Sequence, residues 1–159
     1  MKEPEFYLGA KLEKKEIDGR AFWTISSVDY LKAAIQTVKN AIKGTHRRLI
    51  PKAKTPMTTS YHPEMDGTPE LNEKDLAWYQ ELIGILRWST EIGRVDILFE
   101  VSILLQHLAC PREGHLEQVL HIFSYLENKP ELTIYMDHGD PNIDYGQFQT
   151  NRKSFLEIY

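Results

Sequence analysis

The chain has 159 residues, of which 42% are apolar, 26% charged and 11% aromatic, so it has the composition of a globular domain and is not disordered throughout. A chain of this size buries roughly two thirds of its unfolded surface, enough for one hydrophobic core. The single Cys110 excludes an internal disulfide and points to a reducing compartment. The longest apolar runs, such as Ile103-Leu104-Leu105, fall far short of the roughly 20 residues of a membrane-spanning helix. Met1-Lys2-Glu3-Pro4-Glu5 carries no apolar signal segment, and a soluble intracellular protein is expected.

Charge is unevenly distributed. Against a net charge of −4, the stretch from Tyr30 to Pro63 has no acidic residue and carries Lys32, Lys39, Lys43, Arg47, Arg48, Lys52 and Lys54, which makes it +7 and leaves −11 for the rest. Such a stripe suits a polyanion, because each neutralised phosphate releases condensed counterions. A solvated helix face and loop that keep the protein soluble would look the same, and only Tyr61 interleaves the charges for base stacking.

In chain order, Glu5 to Lys14 and Arg20 to Ser26 are rich in aromatic and β-branched residues. Asp18-Gly19 between them is a tight-turn pair, which predicts a β-hairpin. Ser26 with Asp29 offers a capping-box-like start for an amphipathic helix that buries Val28, Leu31, Ile35, Val38 and Ile42 and stops at Gly44. From Thr45 to Leu71 five Pro and Gly residues interrupt any periodicity. A loop this long either wraps a neighbour or links two units.

Asn72 with Asp75 caps a second predicted helix, to about Ile92, with Leu76, Tyr79, Ile83, Leu86 and Trp88 on its buried face. Gly84 in its middle suggests a close helix crossing. A third helix is expected over Val95 to Ala109, using Ile97, Leu98, Val101, Leu104, Leu105 and Leu108. A fourth begins with Pro111 in its first turn and buries Leu116, Val119, Leu120, Phe123 and Leu126 up to about Asn128. Leu132 to Met136 alternates as a strand, and Asp137 to Tyr159 is polar and irregular.

The expected class is therefore α+β: an N-terminal hairpin, one amphipathic helix, a long loop, a three-helix bundle and a short C-terminal strand. Its units would be 1–44, a Pro-rich basic linker loop at 45–71, the bundle at 72–129, and a strand with its tail at 130–159. The strand-like Phe6-Tyr7-Leu8-Gly9 at one end and Leu156-Glu157-Ile158-Tyr159 at the other suggest a piece of a longer fold. Without neighbours, the hairpin should leave edge strands unpaired and some of Phe6, Tyr7, Phe22 and Trp23 uncovered.

Two clusters could bear metal. His107, Cys110, His115 and His121 are spaced as H-x2-C-x4-H-x5-H, but they lack the second cysteine typical of zinc modules and lie among core leucines, so histidines at helix ends are expected. Asp137, Asp140 and Asp144 with His138 lack the glycine and terminal glutamate of a calcium loop. There is no G-x-S-x-G elbow, Walker A loop or G-x-G-x-x-G, so no metal, cofactor or catalytic residue is assigned.

Tyr79, Ile83, Gly84, Leu86, Trp88, Arg94, Asp96, Ile97, Val101, Ser102, Pro111, His115, Tyr125 and Leu126 resemble, in order and spacing, the C-terminal portion of copia-type retrotransposon reverse transcriptases. Tyr7-Leu8-Gly9, Tyr30-Leu31 and Thr55-Pro56-Met57 extend the resemblance over most of residues 6–136. Val95 stands where the family has Pro, and His121 where Arg is common.

The resemblance implies the palm edge, thumb and connection of an RNA-directed DNA polymerase, approaching a ribonuclease H module. The family's aromatic-x-Asp-Asp turn has no counterpart, since the sequence contains no Asp-Asp pair. Two-metal phosphoryl transfer needs those carboxylates. The implied function is binding of an RNA–DNA hybrid without catalysis, alongside other parts of the Pol polyprotein. It would act in the cytoplasm, the nucleus or a virus-like particle and need no membrane.

Candidate phosphate contacts are Lys39, Lys43, Arg47, Arg48, Lys52 and Lys54. Arg94 is either a further contact or a structural partner of Asp96. The alternatives are a small helical protein-interaction protein, a functionless transposon remnant and, least supported, a metal-dependent hydrolase.

Overall fold

The computed structural model describes residues 5–136, beginning with strands β1 (Phe6–Tyr7), β2 (Ala10–Ile17) and β3 (Arg20–Ser26). Asp18 and Gly19 take φ of 52° and 75° and close the β2–β3 hairpin, as expected of a turn that needs two positive values. The predicted first strand is broken by a second positive-φ pair, Leu8 and Gly9 (49° and 87°), which folds β1 back onto β2.

A fourth strand, β4 (Thr133–Met136), pairs with β3, giving an antiparallel sheet in the order β1-β2-β3-β4. Its register sets Leu12 opposite Ile25 and Ile25 opposite Ile134, which puts the three side chains on one face. That face meets the helices where a Cβ on Gly93 would lie 3.3 Å from Ile134. Phe6, Tyr7 and Leu8 are exposed at one edge, while Phe22 is half covered by an edge-on contact with Tyr135.

Helix α1 (Val28–Ile42) buries Leu31, Ala34, Ile35, Val38 and Ile42. Its N-cap is Ser27 rather than Ser26, and the Ser26 hydroxyl accepts only a 3.4 Å hydrogen bond from the Val28 N–H. Helix α2 (Glu73–Glu91) is capped by Asn72, whose side chain accepts from the Asp75 N–H. Trp88 is exposed, and nothing lies within 4 Å of a Cβ placed on Gly84, so no close helix crossing explains that glycine.

Helix α3 (Leu98–Leu105) is shorter than predicted because Val95–Ile97 forms a separate 3₁₀ turn, and Leu98 faces outward. Helix α4 (Glu113–Asn128) starts two residues after Pro111, which lies outside its first turn. The expected tail and the Asp137, His138, Asp140 and Asp144 cluster lie outside the described residues. Among the described residues no helix is long and apolar enough to cross a membrane.

Helix α4 is the centre of the core. Leu116, Val119, Leu120, Ile122, Phe123 and Leu126 are buried against α1, α2 and α3, and Tyr79 donates a 2.7 Å hydrogen bond to the Leu104 carbonyl beside them. Its remaining side is a polar stripe, Gly114-His115, Gln118, His121 and Ser124, at three- to four-residue spacing.

The long loop runs antiparallel along that stripe. The Ile50 N–H donates to Ser124 Oγ (2.9 Å), His121 Nε2 meets the Thr55 carbonyl (3.0 Å) and the Thr58 N–H donates to Gln118 Oε1 (3.1 Å). Further along, His115 Nε2 meets the Pro63 carbonyl (3.0 Å) and the Gly114 N–H donates to Thr68 Oγ1 (2.9 Å). The loop is therefore a strap on α4. It also satisfies that helix's first N–H groups, since Glu113 N–H donates to the Pro69 carbonyl at 3.0 Å.

Asp66 holds the strap at the α4 N-terminus. Its buried carboxylate accepts from the Thr68 N–H and hydroxyl (2.8 and 2.6 Å) and from the Tyr61 hydroxyl, at the positive end of the helix dipole. A Cβ on Gly114 would lie 2.1 Å from Asp66 Oδ2. Gly114→Ala should therefore cost about 1–3 kcal/mol by forcing this joint apart. Gly84→Ala should gain up to about 1 kcal/mol in an open mid-helix position. Urea unfolding midpoints moving in opposite directions would verify the pair.

Candidate nucleic-acid interface

The acid-free stretch covers nearly all of α1 and the strap as far as Pro63. Lys39 and Lys43 project from the helix, Gly44 turns the chain at φ 81°, and Arg48 and Lys52 return along the opposite side. They line an open groove of about 670 Å³ with Ile42, Leu49, Ile50 and Pro51 between them. Its one carboxylate, Glu127, pairs with Lys39. No carboxylate among the described residues lies within ion-pair distance of Lys43, Arg48, Lys52 or Lys54. The groove is positive and solvent-facing, and Lys54 is exposed on the strap outside its lining.

Arg47 and Arg94 serve the fold. The Arg47 guanidinium, about one tenth exposed, donates to Asp75 at 3.2 and 3.3 Å and to Glu113 at 2.8 Å, and lies 6.0 Å from the Trp78 ring centre. It joins the first turns of α2 and α4. Burial acts against its charge, but the hydrogen bonds it donates to both carboxylates outweigh that and raise its pKa.

Arg94, 1% exposed, makes a two-pronged contact with Asp96 (2.9 and 2.8 Å) and donates to the Lys129 carbonyl (2.8 Å), which ties the α2–α3 junction to the end of α4. Of its two sequence readings, the partnership with Asp96 is what the structure contains. Arg94 is buried, whereas Arg47 is half-buried and, though held by two carboxylates, also lines the groove.

Two groups missed by the sequence reading border the groove. His46 and His121, with Thr58, Glu117 and Gln118, line a second hollow of about 330 Å³ that shares Arg47, Arg48 and Ile50 with the first. The signal for His121 was available in the polar spacing of α4. The His107, Cys110, His115 and His121 set is not drawn together: the His107 and His115 rings stack at 4.1 Å, while His121 lies further along α4, bonded to Thr55. Glu70 beside Cys110 pushes its thiol pKa up, the wrong direction for a nucleophile. Among the described residues no group of three or more His, Cys, Asp or Glu side chains is placed to hold a metal.

No family model matches the sequence, and no solved structure matches it. The chain is similar to a curated Saccharomyces cerevisiae protein described as "Putative transposon Ty5-1 protein". The two are 35% identical over 104 residues, which cover 65% of this chain and 30% of the yeast protein. The chain is thus related in sequence to a transposon protein and aligns with less than a third of its length.

The geometry divides the basic residues into two classes that unfolding can separate. Arg94→Ala should destabilise by about 3 kcal/mol, because it strands Asp96 and two carbonyls, whereas Arg48→Ala should change stability by less than about 0.5 kcal/mol. Burial pushes the Asp96 carboxyl up, but Arg94 and Tyr125 outweigh it and hold it below the usual carboxylate range. Its contribution is thus full above about pH 4 and is lost as pH falls through the lowered value. Acid unfolding of the Arg94 variant should show a correspondingly smaller loss in that window.

Proposed function

We propose that this chain is a thumb and connection segment of a copia-type reverse transcriptase, which contributes binding of an RNA–DNA hybrid and no catalysis of its own. The observation that carries the reading is the open groove of Lys39, Lys43, Arg48 and Lys52, in a chain similar to a transposon protein. Four cations spaced along a helix end and an antiparallel strap suit successive phosphates of a duplex. Hybrids are held largely through backbone and shape, which fits a groove without exposed aromatics.

The lack of any Asp-Asp pair in the sequence supports assigning no polymerase chemistry to the chain alone. Its natural partners would be the hybrid and the remaining parts of the Pol polyprotein. A protein-interaction role is favoured by a different observation, the exposure of Val95, Leu98 and Phe99 on one side of α3 and the turn before it.

Titrating a labelled RNA–DNA hybrid over a salt series separates the two. The wild type should bind with a slope of about −0.9 per phosphate engaged. The K43E/R48E/K52E/K54E variant should lose at least about tenfold in affinity and roughly three units of slope, with its fold intact. A folded wild type that fails to bind at 50 mM salt would overturn the polyanion reading and leave the apolar α3 face as the working surface.

A further inference from the structure

The strap is fastened to α4 by two histidines whose bonding patterns require the neutral ring. His115 Nδ1 accepts the Arg112 N–H at 2.9 Å, so the ring proton must be on Nε2, where it is donated to the Pro63 carbonyl. At the third position of the helix, His115 fills the role that Glu or Gln plays in a capping box. His121 Nε2 faces the Thr55 carbonyl and must likewise donate, while its Nδ1 is buried without a partner.

A second proton has no acceptor at either site. On His115 it would confront the Arg112 N–H, and on His121 it would be a buried donor with nothing to meet. We propose that residues 50–68 form a pH-sensitive strap, closed over α4 when His115 and His121 are neutral and released from it when they are protonated.

The surroundings act in both directions. Next to His115, the strap supplies Asp66 and the Tyr61 ring, the residue before α4 supplies Arg112, and the segment after α3 supplies His107; one contact further out, Tyr79 of α2 acts on Tyr61 and Glu64 on His107. Asp66 Oδ2, 4.0 Å from His115 Nε2, favours charge on the ring, but it faces the nitrogen that already carries a proton. His107, stacked on His115, opposes a second charge, and burial together with that neighbour lowers the His107 pKa. His46, Arg48 and Glu117 share the hollow beside His121.

Both bonding patterns need the neutral ring, so the fastening is complete at neutral pH and is lost as acid adds the second proton to the imidazoles. This step lies well above the pH window in which Asp66 and Asp96 protonate. The device rests on hydrogen bonds and stands whether or not the groove binds nucleic acid, although release would remove Lys52 from its place opposite Lys39 and Lys43.

Hydrogen–deuterium exchange of the whole chain at pH 7.5 and 5.5, corrected for intrinsic exchange, tests it. Peptides within 50–68 should gain at least tenfold in exchange at pH 5.5 while peptides of α2 do not. The H115Q/H121Q variant, whose side-chain amides supply acceptor and donor without titrating, should stay closed at both values. Equal protection at both pH values, a step that persists in the folded variant, or simultaneous opening of α2 would each overturn the proposal. In the wild type, nitrogen NMR at pH 7.5 should show both rings as the Nε2–H tautomer, and an imidazolium there would refute it even if the variant did not fold.

Discussion

Everything in the helical body depends on the contact between α4 and the strap. A helix buried over most of its circumference is normally apolar there, yet α4 carries His115, Gln118, Ser124 and the half-buried His121 on one side. Each would cost free energy if buried without a partner, and each finds its partner in the backbone of residues 50–63. The dependence is mutual. A loop with this many prolines makes no ladder of its own, so beyond a few local turns, such as the Tyr61 N–H to the Thr58 carbonyl, its backbone groups are satisfied where α4 presents side chains to them. Networks of this kind stand or fall together, because a half-satisfied one is worse than none.

The strap also determines which cations face water. Running back along α4, it brings Arg47 between Asp75 and Glu113, where a planar fork with several donors can bind two carboxylates at once. The next residue, Arg48, then points outward, and Lys52 follows it on the same side of the groove. Neighbouring arginines thus differ, one joining helices and the other open to solvent. Arg94 repeats the first role at the far end of α4, where it holds the chain leaving that helix and so directs residues 133–136 towards β3.

The sheet lies outside this body. Except for Ala10, its residues are absent from the buried apolar core, and it meets the helices mainly through α1 and through Ile134 against Gly93. Its outer strand β1 is only two residues long with Phe6 and Tyr7 exposed, which limits how much unpaired backbone the edge presents. At the other side, β4 covers β3 with Ile134 and Tyr135, so the aromatic residues of the hairpin are less exposed than an isolated hairpin would leave them.

Local chemistry and periodicity by themselves determined the α+β class, the Asp18-Gly19 turn, the Asn72 cap and the apolar faces of α1, α2 and α4. Each of these is a property of a few residues or of one repeating interval. They also located the acid-free basic stretch. Only the tertiary structure decided that the prolines mark a strap rather than a link between units, that β4 closes on β3, and that Gly84 faces open space. It alone separated Arg47 and Arg94 from Lys43, Arg48 and Lys52. A charged side chain reads the same in a sequence whether it points to water or to a carboxylate many residues away. Its partner is chosen by the packing of helices whose faces, but not whose neighbours, are written in their periodicity.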